Sequence, residues 1–346
     1  MSTAPANPGH AHRCQYWQLS IPGSRHSFTK MTLLATQTRG TLLFLCAYLL
    51  IDICSAQELA PRAYLITPVH SNAAILTYSF FDGNLELEGA VPITGSTARA
   101  HFAIFSYYHS FNFFGRSANL TASLPYGVGN FHGTVVGSEF SGYRSGLLAP
   151  TFRLAMNLIG GPAMNTGTFM KWQQKKILGA SIKLVPPAGQ YDSTRLINFG
   201  TSRWALKPEL GYSQRCGHWI LDAYGGAWFY AENPEFFSHN QFSPGTNTQT
   251  QTPVGSFEGQ LSYDFKPLLW ISLDGNFWSG GETSLNGVRS SATLQRNSRV
   301  GITSSIPVSR HQSLKFSYNN GAYIRYGGNF QNVSVAWQYS WVGKPN

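Results

Sequence analysis

The sequence predicts an all-β protein, a transmembrane antiparallel up-and-down β-barrel of about twelve strands. Three observations carry this expectation. Polar and apolar residues swap places at every step through much of the chain beyond residue 70. Successive side chains of a strand face opposite sides, so this period of two means one wet face and one greasy face. The alternating segments mostly run ten to fourteen residues. Strands of soluble sheets run about five or six, whereas spanning strands of a barrel need roughly 9–11. Finally, short turns and long loops take turns between segments, as in barrels with short periplasmic and long extracellular connections.

Four segments show the alternation most plainly. Thr151, Arg153, Ala155 and Asn157 alternate with Phe152, Leu154, Met156 and Leu158. From Thr201 to Ser213, Arg203, Ala205, Lys207, Glu209 and Gly211 oppose Trp204, Leu206, Pro208, Leu210 and Tyr212. Ser256, Glu258, Gln260, Ser262 and Asp264 oppose Phe257, Leu261, Tyr263 and Phe265. Asn332, Ser334, Ala336 and Gln338 oppose Val333, Val335, Trp337 and Tyr339. Similar runs begin near Ala73, His101, Ser117, Ile177, His218, Trp270, Gln295 and Ser313. His101–Phe111 reads least clearly, because both its faces carry aromatic residues. Short turns fall at 112–116, 214–217, 266–269 and 307–312, and long loops at 83–100, 125–146, 187–200, 232–252 and 279–292. Gly160–Gln174 is too long for a tidy turn, and Gly129–Phe140 is assigned to an extracellular hairpin so that both chain ends stay periplasmic.

Charge placement agrees with a barrel. Arg153, Lys183, Arg203, Lys207, Glu209, Asp222, Glu258, Asp264, Asp274 and Arg299 share the polar parity and are the candidate lumen or selectivity residues; Lys315 shares that parity too. An Arg or Lys on the lipid face near the midplane costs about 2–4 kcal/mol, which lumenal placement avoids. Arg296 breaks the parity at a strand end, where snorkelling serves. The charged set reads either as a gate or selectivity ladder or as a salt-bridged network that fills a narrow barrel. Tyr224, Trp228, Trp270 and Trp278 are candidate aromatic contacts in the lumen; for the three tryptophans, anchoring at the rim is the competing reading. Trp204, Tyr212, Trp219, Phe229, Tyr263, Tyr339 and Trp341 lie near strand ends on the apolar face and read as interfacial girdles.

The N-terminus reads as processing signal. Thr41–Ile51 is an uncharged apolar run preceded by Lys30 and Arg39, and Cys54-Ser-Ala56 offers small residues at a cleavage site. Residues 1–56 are expected to be an N-terminal extension and signal peptide, with Met31 as the true start and 57–346 as the barrel. Only Cys216 follows that site, so no internal disulfide is expected. The remainder carries 21 basic and 14 acidic residues, a formal +7, dispersed rather than in tracts. Outer-membrane lipids are the expected counterpart, and nucleic acid is not. Charged residues make up only 12% of the chain and aromatics 14%, which argues against disorder.

Motifs for chemistry are sparse. His101 and His109 share a strand face about 27 Å apart, beyond joint coordination of a metal. His218 and Asp222 are about 13 Å apart along one strand, too far for a catalytic hydrogen bond, and no nucleophile elbow occurs. The glycines around Gly127 and Gly129 open no helix and read as turn residues rather than a phosphate cradle. Pro186-Pro187 with Gly189-Gln-Tyr-Asp192 marks a rigid external turn, either a lid over the solute entry or a fold-closing corner. No cofactor, metal or enzymatic activity is expected.

A set of motifs in fixed order adds to this. Ser123-Leu-Pro-Tyr-Gly127, Asn157-Leu-Ile-Gly-Gly-Pro-Ala163, Pro187-Ala-Gly-Gln-Tyr-Asp192, Ile197-Asn-Phe-Gly200, Arg203-Trp204 and Lys207-Pro-Glu-Leu-Gly211 precede Tyr263-Asp264 and Gly280-Gly281. Together they resemble the outer-membrane barrel family of the MetA-pathway of phenol degradation, over most of residues 70–341. The resemblance implies a Gram-negative outer-membrane transporter tied to breakdown of aromatic compounds, and it carries over no catalytic residue. The expected function is passive uptake of small hydrophobic or aromatic solutes through the bacterial outer membrane, with the outer-membrane assembly machinery as a further partner. The alternatives are a non-conducting structural or adhesion barrel and a membrane-embedded hydrolase.

Overall fold

Strand-length alternation with no covering layer leaves a sheet one outlet, which is to close on itself. In hydrocarbon every backbone N–H and C=O must be paired within the protein, and an open edge has nothing to pair with. The computed structural model describes residue 59 and residues 61–86, 93–135, 138–195, 197–240 and 243–343. The expected signal segment, its cleavage site and Met31 lie outside the described residues.

The chain runs through β1 (Ser71–Glu86), β2 (Ile93–Phe113), β3 (Arg116–Val135), β4 (Ser138–Leu147), β5 (Thr151–Ile159), a one-turn helix α1 (Thr166–Phe169) and β6 (Lys176–Val185). It continues through β7 (Ala205–Cys216), β8 (Trp219–Tyr230), β9 (Gln249–Gln251), β10 (Val254–Lys266), β11 (Leu269–Gly280), β12 (Thr283–Leu285) and β13 (Val288–Ser290). Last come β14 (Gln295–Pro307), β15 (Gln312–Ile324) and β16 (Gly327–Val342). Every pairing in the large sheet is antiparallel, and β16 returns to β1 from Ser71↔Val342 to Glu86↔Gly327, closing a barrel of 12 strands among the described residues. β4 and β5 together make one broken strand, since both pair with β3. The short β9, β12 and β13 form a separate three-stranded sheet within the two long loops after β8 and β11. No helix among the described residues is long and apolar enough to cross a membrane.

Burial is inverted relative to a water-soluble protein. Leu221, Leu261 and Leu273 stand directly opposite one another on β8, β10 and β11, and each is exposed on the outer face. Their chain neighbours Asp222, Gln260, Ser262, Ser272 and Asp274 are buried inside. Near the periplasmic rim an aromatic belt forms: Trp219 packs on Tyr263 at 4.9 Å between centroids, Tyr263 on Phe265 at 5.1 Å, and Tyr339 on Trp341 at 5.7 Å. Such rings suit the boundary between water and lipid.

Two expected loops are mostly strand. Residues 83–86, 93–100, 125–135 and 138–146 continue the ladder on β1–β4, with Asn84↔Thr97 and Ile93↔Val135 in register. These strands rise past the hydrocarbon band. Their outer face no longer has to be apolar, so the alternation that marks a spanning strand fades while the hydrogen bonds persist. Within Gly129–Phe140, Gly133↔Phe140, Thr134↔Glu139 and Val135↔Ser138 pair at the end of the β3–β4 ladder. Residues 201–204 lead into β7 rather than forming part of it. The Gly160–Gln174 link carries α1, capped by Asn165, whose side chain accepts from Thr168 N–H at 2.8 Å.

Placing Arg at Leu261 should lower the unfolding free energy by about 2–4 kcal/mol in denaturant titrations from lipid vesicles, the cost of a midplane charge in lipid. Arg at Ser317, which faces the inner cavity, should cost distinctly less. Equal losses at the two positions would contradict the assignment of faces.

Candidate functional site

The barrel interior is not an empty pipe. Ahead of β1, residues 61–70 enter it from the periplasmic end, where Tyr64 and Ile66 are buried. The fit is made by absence of side chains on the wall. Gly179 on β6 and Gly211 on β7 are register partners. A Cβ at Gly179 would lie 2.3 Å from the Tyr64 ring, and one at Gly211 would lie 2.0 Å from it. The ring therefore occupies a slot that only two facing glycines leave open. Its hydroxyl donates to Glu209 Oε1 at 3.0 Å and meets Ser181 Oγ at 3.0 Å. Around it, Ala63 N–H donates to the Tyr224 hydroxyl at 3.0 Å, and Thr67 Oγ1 meets the Tyr108 hydroxyl at 2.8 Å. Arg62 pairs with Asp264 at 2.7 Å and lies 4.2 Å over the Trp270 ring. From the long periplasmic link, Met164, Phe169 and Trp172 pack against the same cluster.

Above this floor the charged side chains gather. Arg153 on β5, Lys183 on β6 and Lys207 on β7 are direct cross-strand partners, Arg153↔Lys183 and Lys183↔Lys207. Two carboxylates answer the three cations. Lys207 Nζ lies 2.6 Å from Glu209 and 3.2 Å from Glu258, while Arg153 reaches Glu209 at 3.9 Å. Lys183 and Lys207 each lie 5.9 Å from the Trp228 ring, within cation–π range. Pro208, lacking an N–H, falls where the β7–β8 ladder is interrupted between Leu206↔Phe229 and Glu209↔Gly226, beside this cluster.

The remaining candidates spread over other parts of the interior. Asp264 also pairs with Arg215 at 2.7 Å, at the periplasmic end. Asp222 is buried on β8, register partner to Ser213 and Gln260. Asp274 accepts from Ser272 Oγ at 2.5 Å and Thr303 Oγ1 at 2.6 Å on the opposite wall. Arg299 donates to Asn319 Oδ1 at 2.6 Å. Arg203 sits near the extracellular mouth, bonded to Gln251 and 4.5 Å over the Tyr230 ring. Trp228 and Trp278 are 1% exposed and pack together with Val185, Ala205 and Val254. Rim anchoring in lipid does not describe them, because both are enclosed within the barrel. The structure thus brings Arg153, Lys183, Lys207, Glu209 and Glu258 together with Tyr224 and Trp228, and leaves the rest in separate groups.

The extracellular mouth is narrowed by the loop between β6 and β7. It runs along the free edge of β4, with Gln190 N–H donating to Leu147 O at 2.8 Å and Arg144 Nε to Ile197 O at 2.7 Å. Gly189 has to be small there, since a Cβ would fall 2.6 Å from Ala149 N. Thr194 hydroxyl and N–H both donate to Asp192, at 2.6 and 3.0 Å, and hold its carboxyl below the ordinary range. So braced, the loop delivers Phe199 and Ile197 inward. Phe199 packs on Phe102 at 5.7 Å and Phe131 at 6.4 Å, and Phe81 on Phe102 at 5.4 Å and Phe330 at 6.3 Å. Between this aromatic mouth and the Tyr64 floor lies a cavity of about 650 Å³. Its β15–β3 side is lined by small residues such as Thr77, Ser106, Thr121 and Ser334, and its opposite side by the Lys207 cluster.

Two other readings can be placed. His101 Nδ1 meets the Tyr78 hydroxyl at 2.7 Å and His109 Nδ1 meets Asn72 Oδ1 at 2.8 Å, so each has its own neighbour. No group of three metal-binding side chains occurs among the described residues. His218 lies in the β7–β8 turn with its Nδ1 2.8 Å from the backbone oxygen of Asp264. Arg62 and Tyr64 were invisible to a reading of strands, because they precede the first alternating segment. Gly179 and Gly211 at matching lumen positions were the available signal.

Substituting Gly211 by Ala should drive the Tyr64 ring from its slot and loosen residues 61–70. Single-channel conductance should rise to several times that of the parent, and cleavage by protease added from the periplasmic side should become faster. Unchanged conductance and protection would show that the segment does not limit the lumen.

A family model described as "Putative MetA-pathway of phenol degradation" matches residues 80–339. No curated protein matches in sequence. Among solved structures, the COG4313 outer membrane channel from Pseudomonas putida F1 is similar, with TM-score 0.68 and 17% identity over 82% of this chain and 100% of that one. The β domain of the Bordetella autotransporter BrkA is similar at TM-score 0.44 and 10% identity, over 78% of this chain and 99% of that one. The KdgM porin matches at TM-score 0.41 and 9% identity, over 78% and 99%. The match spanning residues 80–339 covers most of the barrel, and the chain belongs to the MetA-pathway of phenol degradation family, with the fold of an outer-membrane β-barrel.

Proposed function

We propose that the protein is a passive channel for small hydrophobic or aromatic solutes across the outer membrane. The observation that carries this reading is the cavity of about 650 Å³ held between an aromatic mouth and a polar, charged interior. Phe81, Phe102, Phe199 and Leu148 give an apolar surface at its outer end. Such a surface favours a ring over a sugar, because an aromatic face buries well against aromatic edges. The family, whose description names phenol degradation, supports an aromatic cargo, and the solved channel of similar fold supports conduction. The barrel sits in outer-membrane lipids through its leucine-rich outer face. Tyr339 and Trp341, near the end of β16, fit the role of a signal to the outer-membrane assembly machinery.

No catalytic role is assigned. The histidine that a hydrolase reading would use, His218, lies against a backbone carbonyl at a turn. The Tyr64 floor favours one competing reading, a barrel stoppered for good that serves as structure or adhesin.

Uptake into proteoliposomes separates the two. Benzenesulfonate and phenyltrimethylammonium are aromatic ions that bare lipid holds back. At least one of them should enter faster than glucose, and planar bilayers should show discrete openings. Absence of any flux above protein-free vesicles, with electrically silent bilayers, would establish the stoppered barrel instead. Glucose entering as fast as both aromatic ions would overturn the aromatic preference.

A further inference from the structure

The two ends of the barrel differ in charge. At the periplasmic end the chain passes through residues 61–70, 111–118, 157–178, 213–220, 262–271, 305–312 and 338–343. These segments hold eight arginines and lysines and one acidic residue, Asp264. Asp264 is taken by Arg62 and Arg215, each at 2.7 Å. Asp222, the next acid inward on β8, is buried in the lumen. The other six cations, Arg116, Lys171, Lys175, Lys176, Lys266 and Arg310, are all exposed. At the extracellular end arginines have acids beside them. Arg99 pairs with Asp82 at 2.9 Å, Arg195 with Asp192 at 2.8 Å, and Arg289 with Glu282. Glu86, Glu232 and Glu235 add further negative charge there.

The six cations lie on four connections, β2–β3, β5–β6, β10–β11 and β14–β15, which are spread round the rim. Each of these connections also carries an exposed apolar side chain within two residues of a cation. They are Phe114 (91% exposed), Met170 (78%), Leu268 (59%) and Val308 (57%). Phe114 and Leu268 sit at φ +47° and +66°, a region that glycine enters freely and bulky residues avoid. Closing the turn asks for Gly or Asn at such places. The chain accepts strain at two tips and keeps an apolar group on each, which points to a role outside the turn itself.

These tips continue the lipid-facing surface. Phe111 packs on Phe113 at 6.4 Å between centroids and Phe113 on Phe114 at 4.7 Å, so one chain of rings runs from the outer face of β2 to the tip. Lys266 directly follows Phe265 of the aromatic belt. The headgroup zone of a bilayer is about 5–8 Å deep on each side. That is two or three residues of a strand. Connections this close to the belt put their cations at the level of the phosphates and their apolar tips at the edge of the acyl chains.

We propose that the periplasmic rim is a binding surface for anionic phospholipid headgroups of the inner leaflet. The positive rim complements a net-negative headgroup, and the apolar tips complement the chains attached to it. A single protein partner calls for one contiguous patch, whereas cations distributed round the circumference match an annulus of lipid. The proposal does not depend on what the lumen conducts.

Electron spin resonance of spin-labelled lipids tests it on the full-length protein in phospholipid vesicles. Labelled phosphatidylglycerol should associate with the protein surface about threefold to fivefold more strongly than labelled phosphatidylcholine at low salt, the effect of roughly one basic residue per headgroup. The ratio should fall toward one near ~1 M salt, where charges are screened within about 3 Å. A variant combining Lys175→Gln, Lys176→Gln, Lys266→Gln and Arg310→Gln, checked for folding by heat-modifiable gel mobility, should lose most of the preference. Arg99→Gln with Arg195→Gln, at the other end, should keep it. Equal association of the two lipids with the parent, or a preference unchanged in the folded quadruple variant, would overturn the proposal. Loss of the preference on adding millimolar glycerophosphoglycerol, the headgroup without its chains, would reveal a site for free phosphate esters and overturn the lipid as occupant.

Discussion

Hydrogen bonding of the backbone in a medium without water is the constraint from which the rest follows. An open sheet in lipid would leave a row of unpaired N–H and C=O groups at each edge. The β16–β1 ladder removes that edge along the full length of both strands. Once the sheet is closed, each strand has one face in hydrocarbon and one facing inward, and the sequence has to supply both. Leu261 and Gln260, adjacent in the chain, end up in opposite environments for this reason alone.

Closure creates a second problem, since a polar inner face must find partners. The barrel solves it differently along its axis. At the periplasmic end the chain itself turns in, and Tyr64 binds Glu209 and Ser181 within a glycine slot. On the β11–β14 wall, Asp274 is satisfied by neighbouring hydroxyls. In the middle, short side chains on β15–β3 leave open space facing the Lys207 cluster. Among the described residues the inner volume is thus divided into a packed side and a side that borders the cavity. A ladder of charges running the length of the lumen is not what forms. The charged residues are instead sorted into clusters whose neighbours are fixed by register.

The architecture was legible because the period of two is a direct imprint of lipid on one side. Thr201–Ser213 and Ser256–Phe265 show it with hardly a break. It ceased to be legible where lipid ends: β1–β4 continue beyond the hydrocarbon band, and residues 83–100 and 125–146 read as loops. Parity placed Arg153, Lys183 and Lys207 on the inner face, but it says nothing about which strands are neighbours in register, so their single row emerged only from the ladders. The floor and the loop at the mouth were hidden for a related reason. Tyr64 and Phe199 lie in irregular segments whose packing depends on distant glycines and aromatics, with no local period to reveal it.

The claim beneath all of this is that alternate residues of one strand see water and lipid. It is tested most directly by single-cysteine labelling along β15 in a background in which Cys14, Cys46, Cys54 and Cys216 are replaced by Ser, with a water-soluble, membrane-impermeant thiol reagent. Cysteines replacing Lys315, Ser317 and Asn319 should react, and those replacing Phe316 and Tyr318 should be protected in lipid. Uniform labelling along the strand, or reaction confined to positions 316 and 318, would contradict the account.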